Sequence, residues 1–243
     1  MKSVISIILS ICFIFGFVDP ALLAAGFVQP DIEFFADCLK TLGLFEGTDK
    51  GYELNRTSTR VESAVMLTRL LGKEKEALAL QLSHPFTDVP GWADSYIGYL
   101  YQNGLTKGIG NQLFGSDQLT TPVQYAAFIL RSLGYKEEKG DFTYFEAIEK
   151  ILNVGVLDRS EAQEINEDKV LARGELVHIS YKALWRFVKG SNDRLIDCLI
   201  ENQAVSKLVV NALGKPRFPD DGSMARDSDP VINAHWIKLS NFS

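Results

Sequence analysis

The chain has 243 residues, of which 46% are hydrophobic and 23% charged, with a formal net charge of −6. That is enough apolar sequence for at least one sizeable core, and too acidic a balance to wrap a nucleic acid over a broad basic face. Glycine (19) and proline (8) are too few for collagen-like or low-complexity chains, and Cys12, Cys38 and Cys198 are too few for a disulfide scaffold and include no CxxC pair that could start a zinc site.

The first predicted element is an address. Lys2 precedes an uncharged run of 15 residues from Val4 to Val18, ended by Asp19-Pro20. A bilayer-crossing helix needs about 20 apolar residues and a secretory h-region roughly 7–15. With Ala24, Ala25 and Gly26 at a plausible cleavage point, residues 1–25 are expected to be a signal peptide, with an uncleaved anchor as the alternative. Cleavage leaves Cys38 and Cys198, either as buried thiols or as one disulfide.

A unit then repeats three times. Leu42-Gly-Leu-Phe-Glu-Gly47 matches Asn103-Gly-Leu-Thr-Lys-Gly108, and Val154-Gly-Val-Leu157 is the third copy. Before each first glycine runs a stripe at i, i+3, i+4, i+7: Ile32, Phe35, Ala36, Leu39; then Ala93, Tyr96, Ile97, Leu100; then Tyr144, Ala147, Ile148, Ile151. A second stripe follows each loop, beginning at Ala64, Ala126 and Val177. Each unit therefore reads helix, glycine turn, loop, helix, with Gly43, Gly104 and Gly155 in the left-handed conformation that ends a helix.

The start of each second helix is distinctive. Thr59-Arg-Val-Glu62 and Thr121-Pro-Val-Gln124 have the form of capping boxes, and Ala172-Arg-Gly-Glu175 keeps only the acid. Pro122 falls at the first helical position, where its missing N–H costs nothing. Arg60 and Arg173 oppose the helix dipole, a penalty of about 0.3–1 kcal/mol. Either each pairs with the neighbouring glutamate, or each presents a guanidinium to an external carboxylate. Beyond the third unit, residues 192–213 predict a short helical hairpin, and 214–243, rich in Pro, Asp, Gly and Ser, a linker or loose tail.

These residues resemble a known family. Phe86-Thr-Asp-Val89, Trp92-Ala93, Ile97, Leu100, Asn103-Gly-Leu, Gly108, Phe114 and Thr121 to Gly134 are similar to the S-layer homology motif, and Thr59 to Gly72 and Ala172 to Glu175 look like its ending in the flanking copies. The resemblance implies an all-α fold of three repeats (about 30–72, 86–135 and 141–185) packed as a pseudo-threefold helical bundle. It also implies attachment of an exported protein to a Gram-positive-type cell wall, by binding a secondary cell-wall polysaccharide, often pyruvylated, in grooves between repeats.

The residues it implies for glycan binding are Arg60, Glu62, Trp92, Gly108, Arg173 and Glu175, with Trp92 either stacking on sugar or plugging the core. Departures from the pattern, among them Pro122 and Gln124 in place of Arg and Glu, leave at most two arginine-bearing pockets. The alternative is an envelope scaffold with degenerate sugar sites, and the tail could contact another envelope protein. No catalytic residue, metal ligand or cofactor is predicted, nor a nucleic-acid partner, nor a membrane after signal cleavage. GxSxG, HExxH, GxxxxGK[ST] and GxGxxG do not occur. His178 aligns with core positions, and Glu161, Glu164, Glu167 and Asp168 read as a solvated polar loop.

Overall fold

The structure is a computed structural model that describes residues 32–164 and 169–214; the expected signal peptide and nearly all of the expected tail lie outside them. Ten α-helices follow in order among these residues: α1 Ile32–Thr41, α2 Arg60–Leu70, α3 Glu74–Leu80, α4 Asp94–Gln102, α5 Pro122–Ser132, α6 Ala147–Asn153, α7 Arg159–Glu164, α8 Arg173–Ala183, α9 Leu195–Glu201 and α10 Lys207–Leu213. The described residues contain isolated β-bridges but no strand, so the fold is all-α as expected. None of their helices is long and apolar enough to cross a membrane.

Three helix pairs, α1/α2, α4/α5 and α6/α8, carry the repeated pattern. The first helix of each ends on a left-handed glycine: Gly43 (φ 73°), Gly104 (φ 69°) and Gly155 (φ 74°). The residue after each glycine donates its N–H five residues back, Leu44 to Leu39, Leu105 to Leu100 and Val156 to Ile151, which satisfies the carbonyls left open at a helix end. Leu39, Leu100 and Ile151, which accept these bonds, are buried in the core.

The loops that follow converge before the second helices begin. Ser58 donates its N–H to Leu171 O (2.8 Å), Leu171 to Thr120 O (2.9 Å) and Thr120 to Ser58 O (2.9 Å), closing a ring of three hydrogen bonds between residues with no exposed surface. Each member stands two residues before the start of α2, α5 or α8, so the ring fixes where those helices enter the core. Inside it, Thr120 Oγ1 donates to Ser63 Oγ (3.1 Å), and Tyr125 bonds Ser180. These hydroxyls satisfy one another where several helices meet. Because α2 and α8 are buried on nearly every side, neither has the one-sided apolar stripe of a surface helix.

The helix starts take the capping form expected. Glu62 Oε2 accepts from Thr59 N–H (2.9 Å), Gln124 N–H donates to Thr121 Oγ1 (3.3 Å), and Glu175 Oε2 accepts from Ala172 N–H (2.8 Å). Asp88, of the Phe86-Thr-Asp-Val89 motif, clamps the second loop by accepting from the N–H groups of Phe114 (2.7 Å), Gly115 (2.7 Å) and Ser116 (3.0 Å). Burial pushes its pKa up, but these backbone donors outweigh it and hold the carboxylate below its usual value.

The chain after α8 straps the far ends of the second helices. Lys189 N–H donates to Leu133 O (2.9 Å) and Leu195 N–H to Arg186 O (2.9 Å). A methyl group at Gly72 (φ 67°), just past α2, would stand 2.8 Å from Leu199 and 2.9 Å from Ala204, so the strap also closes on the end of α2. Cys38 and Cys198 are separate free thiols, and burial pushes the Cys38 thiol up to about 12.

Two expectations change. Glu161 and Glu164 belong to α7 rather than to a polar loop, while Glu167 and Asp168 lie outside the described residues. Trp92 does not plug the core, being 59% exposed.

One position tests this packing. The Leu82 carbonyl crosses α4 so closely at Gly98 that an added Cβ would lie 1.7 Å from its oxygen. Gly98→Ala is expected to lower unfolding stability by at least about 1–3 kcal/mol, the range for overpacking, read as a fall in urea midpoint. A midpoint equal to wild type would contradict this crossing.

Candidate functional site

Two grooves open beside the arginines at the helix starts, and each combines residues from different helix pairs. The first, about 350 Å³, is lined by Phe45 and Glu46 of the first loop, Glu62 and Arg69 of α2, Trp92, and Arg173 of α8, among others. The second, about 470 Å³, is lined by Arg60 of α2, Lys107 and Gly108 of the second loop, Gln124 and Arg131 of α5, Lys136 and Tyr144, among others. Of the six residues expected to bind glycan, Glu62, Trp92 and Arg173 share the first groove and Arg60 and Gly108 the second. Glu175 lines neither, and pairs instead with Lys169 (2.5 Å).

The two arginines are held alike. Arg173 Nε donates to Tyr52 O (3.0 Å), with its guanidinium 5.1 Å from the Phe45 ring centroid. Arg60 Nε donates to Phe114 O (3.0 Å), with the guanidinium 5.0 Å from the Phe114 ring and 5.7 Å from Phe128. A carbonyl and an aromatic face suit a partly desolvated guanidinium, and cation–π contacts contribute about 0.5–2 kcal/mol according to desolvation.

Their charge balance differs. Arg173 Nη1 meets Glu62 Oε1 at 3.0 Å, and Glu62 also takes Arg56 at 2.6 Å. For the Glu62 carboxyl, burial works upward, but the Arg56, Thr59 and Arg173 contacts bring it below the usual carboxylate value. The residue equivalent to Glu62 beside Arg60 is Gln124, which carries no charge. Among the described residues no carboxylate pairs with Arg60, although it is only 9% exposed and burial lowers its pKa. The expectation that each arginine either pairs with the nearest glutamate or stays open therefore divides: Arg173 pairs across to Glu62 of another helix, and Arg60 stays unpaired.

The linings follow suit. The first groove sets Arg69 and Arg173 against Glu46 and Glu62. The second sets Arg60, Lys107, Arg131 and Lys136 against Glu137 and Glu138, a net positive surface on a chain of net charge −6. Gly108 (φ 69°) faces the Phe86 ring and Leu113 O so closely that a Cβ would lie 2.4 and 2.5 Å from them, which keeps the second loop tight beside the groove. Aromatic surface is available at both rims, from Trp92 at the first and Tyr144, 37% exposed, at the second.

Sequence reasoning missed Lys107, Gln124, Arg131 and Tyr144 as groove residues. The signal for Arg131 was present, because a cation recurs nine residues after each helix start: Arg69, Arg131 and Lys182. Arg69 is bound to Glu74 (2.8 Å) and Arg131 to Glu137.

At the third helix pair the corresponding cation is covered by the chain itself. Lys182 Nζ donates to Glu161 Oε1 (2.6 Å), and His178 Nε2 lies 3.0 Å from the same oxygen. Burial raises the Glu161 carboxyl, yet the His178, Lys182 and Asp158 contacts overcome it and hold the pKa at about 2.

Comparison with known proteins places this geometry. Residues 85–121 match the model of the S-layer homology domain, so that stretch of the chain is similar to this domain. The chain is similar to a "Cell surface protein" of Thermoanaerobacter kivui, 27% identical over 208 residues that cover 80% of this chain and 26% of that protein. It is also similar to a "Middle cell wall protein" of Brevibacillus brevis (29% over 121 residues, 49% of this chain and 12% of that one) and a "Surface layer protein" of Brevibacillus choshinensis (29% over 101 residues, 40% and 9%). The chain thus spans about a quarter or less of the length of these relatives.

A depressed carboxyl makes stability depend on pH with a fixed sign. The contribution of Glu161 is fully present above its unfolded value near 4.5 and is lost as pH falls toward about 2. Between these limits wild type is expected to lose more stability than Glu161→Gln, measured by urea unfolding at several pH values. Parallel curves for the two proteins would contradict the ion-pair assignment.

Proposed function

We propose that the chain is a non-catalytic cell-wall anchoring module, whose second groove binds an anionic secondary cell-wall polysaccharide through Arg60. In this reading residues 1–25 are an export signal, and three S-layer homology units (about 30–72, 86–135 and 141–185) surround a pseudo-threefold axis. The strap formed by α9 and α10 closes the bundle. The cell-surface and cell-wall names of the similar proteins support the location, and the ring of bonds joining Ser58, Thr120 and Leu171 supports the arrangement.

The observation that carries the reading is the state of Arg60. A buried cation without a counter-charge is costly, and two aromatic faces and one carbonyl only partly offset that cost. A ligand carboxylate, such as the ketal-linked pyruvate of an acidic sugar, would supply the missing charge through charge-assisted hydrogen bonds worth more than neutral ones. Lys107 and Lys136 would add longer-range attraction, and Tyr144 an apolar face for a sugar ring. The first groove offers Trp92 for stacking, but its cations are neutralised by Glu46 and Glu62, so it contributes less.

Sedimentation with purified wall fragments tests the assignment. Arg60→Ala is expected to weaken binding at least about tenfold, the worth of roughly one charge-assisted hydrogen bond, and Arg173→Ala by less. Stripping the acidic polysaccharide from the walls should abolish the difference. The internal neutralisation of the first and third positions favours one second reading, an envelope scaffold with degenerate sugar sites. Arg60→Ala binding that equals wild type, in a folded protein, would select that reading and reject the anchor.

A further inference from the structure

At the third helix pair, the positions that line the other two grooves are engaged by a side chain of the protein itself. Counted from Arg60, Pro122 and Arg173, the fifth residue on is Val65, Ala127 or His178, and the ninth is Arg69, Arg131 or Lys182. Val65 and Arg69 line the first groove, and Ala127 and Arg131 the second. At the same two positions of α8, His178 and Lys182 both hold the carboxylate of Glu161. Lys182 is 8% exposed, and the His178 ring packs 5.4 Å from that of Phe35, so this pair lies at the foot of a packed wall.

The chain builds the occupant locally. After the glycine turn, the first and second loops fold back through the bridges Thr48 to Gly51 and Gly110 to Leu113. The third instead coils into α7, which Asp158 immediately precedes. Asp158 Oδ1 accepts from Glu161 N–H (2.9 Å) and from the Ser160 hydroxyl (2.6 Å), while Glu161 Oε2 accepts from Asp158 N–H (2.8 Å). This reciprocal box orients the Glu161 side chain on α7, where its carboxylate reaches His178 and Lys182 of α8.

We propose that the third helix pair contains a carboxylate-binding position already filled by the protein's own Glu161. An outside acid could therefore occupy the third position only by displacing an intramolecular one. The meaning of this for wall binding rests on the anchor reading above, but the chemistry of the position stands apart from it.

Chemical rescue tests the proposal. Glu161→Ala removes a CH2COO− fragment, which acetate replaces in size and charge. Melting temperatures of wild type and Glu161→Ala are compared in sodium acetate and in sodium chloride of equal ionic strength at pH 7. The variant is expected to melt several degrees below wild type in chloride, and to recover saturably in acetate as a bound ligand stabilises the folded state. Any acetate-specific gain in wild type should be smaller than in Glu161→Ala and should disappear when Arg60 is replaced by alanine.

Glu161→Gln, which keeps the position filled, should show no acetate-specific rise beyond that of wild type. The rescue should persist in an Arg60→Ala background, which keeps this outcome separate from any failure of wall binding. If Glu161→Ala does not fold in chloride, the recovered yield on refolding in acetate is read instead. Absence of an acetate-specific gain in Glu161→Ala by either readout, or an equal gain in Glu161→Gln, would overturn the proposal.

Discussion

A guanidinium withdrawn from water and given two aromatic rings and one carbonyl, but no carboxylate among the described residues, is the constraint on which the second groove depends. Arg60 stands in that place because the backbone ring of Ser58, Thr120 and Leu171 fixes the start of α2 against the second loop. The Asp88 carboxylate holds that loop by three backbone donors, and Gly108 lets it lie against Phe86. Helix start, loop and neighbouring pair are thus coupled: displacing any of them moves the cation relative to the surface it serves.

The three helix pairs show how one framework can be tuned by single carboxylates. Beside Arg173 stands Glu62, which neutralises it; beside Arg60 stands Gln124, which cannot. Glu175 turns to Lys169. Farther along the second helices, Arg69 and Arg131 find partners in Glu74 and Glu137, while Lys182 takes Glu161 from α7. The replacement of glutamate by glutamine in the second copy, which as a departure from the family pattern suggests a weakened site, is what deprives Arg60 of the carboxylate that Arg173 finds in Glu62.

Much of the fold was legible because it rests on local rules. Glycine turns at Gly43, Gly104 and Gly155, capping at Thr59 and Thr121, and the stripes that meet in the core follow from spacing alone. Gln203 escaped notice because it takes the same left-handed turn (φ 59°) without being glycine. The positions of Arg60 and Arg173 were readable, but their partners were not, since each arginine packs against a loop of a different helix pair. The pairing of Glu161 was hidden for a related reason: its acidic neighbours suggest solvent, and only the coiling of α7 brings it onto Lys182 and His178. The exposure of Trp92 likewise depends on how the turn at Gly91–Ala93 meets the first groove, not on the tryptophan itself.

The central claim concerns charge at one position, so it is measured by changing that charge and little else. Gln124→Glu would place beside Arg60 the carboxylate that Glu62 offers Arg173. Calorimetric titration of acidic wall-polysaccharide fragments into wild type and Gln124→Glu, with both shown to be folded, reads the effect directly. The account predicts affinity at least about tenfold weaker in the variant, because an internal carboxylate would then compete with the ligand's for the Arg60 guanidinium; equal affinities would contradict it.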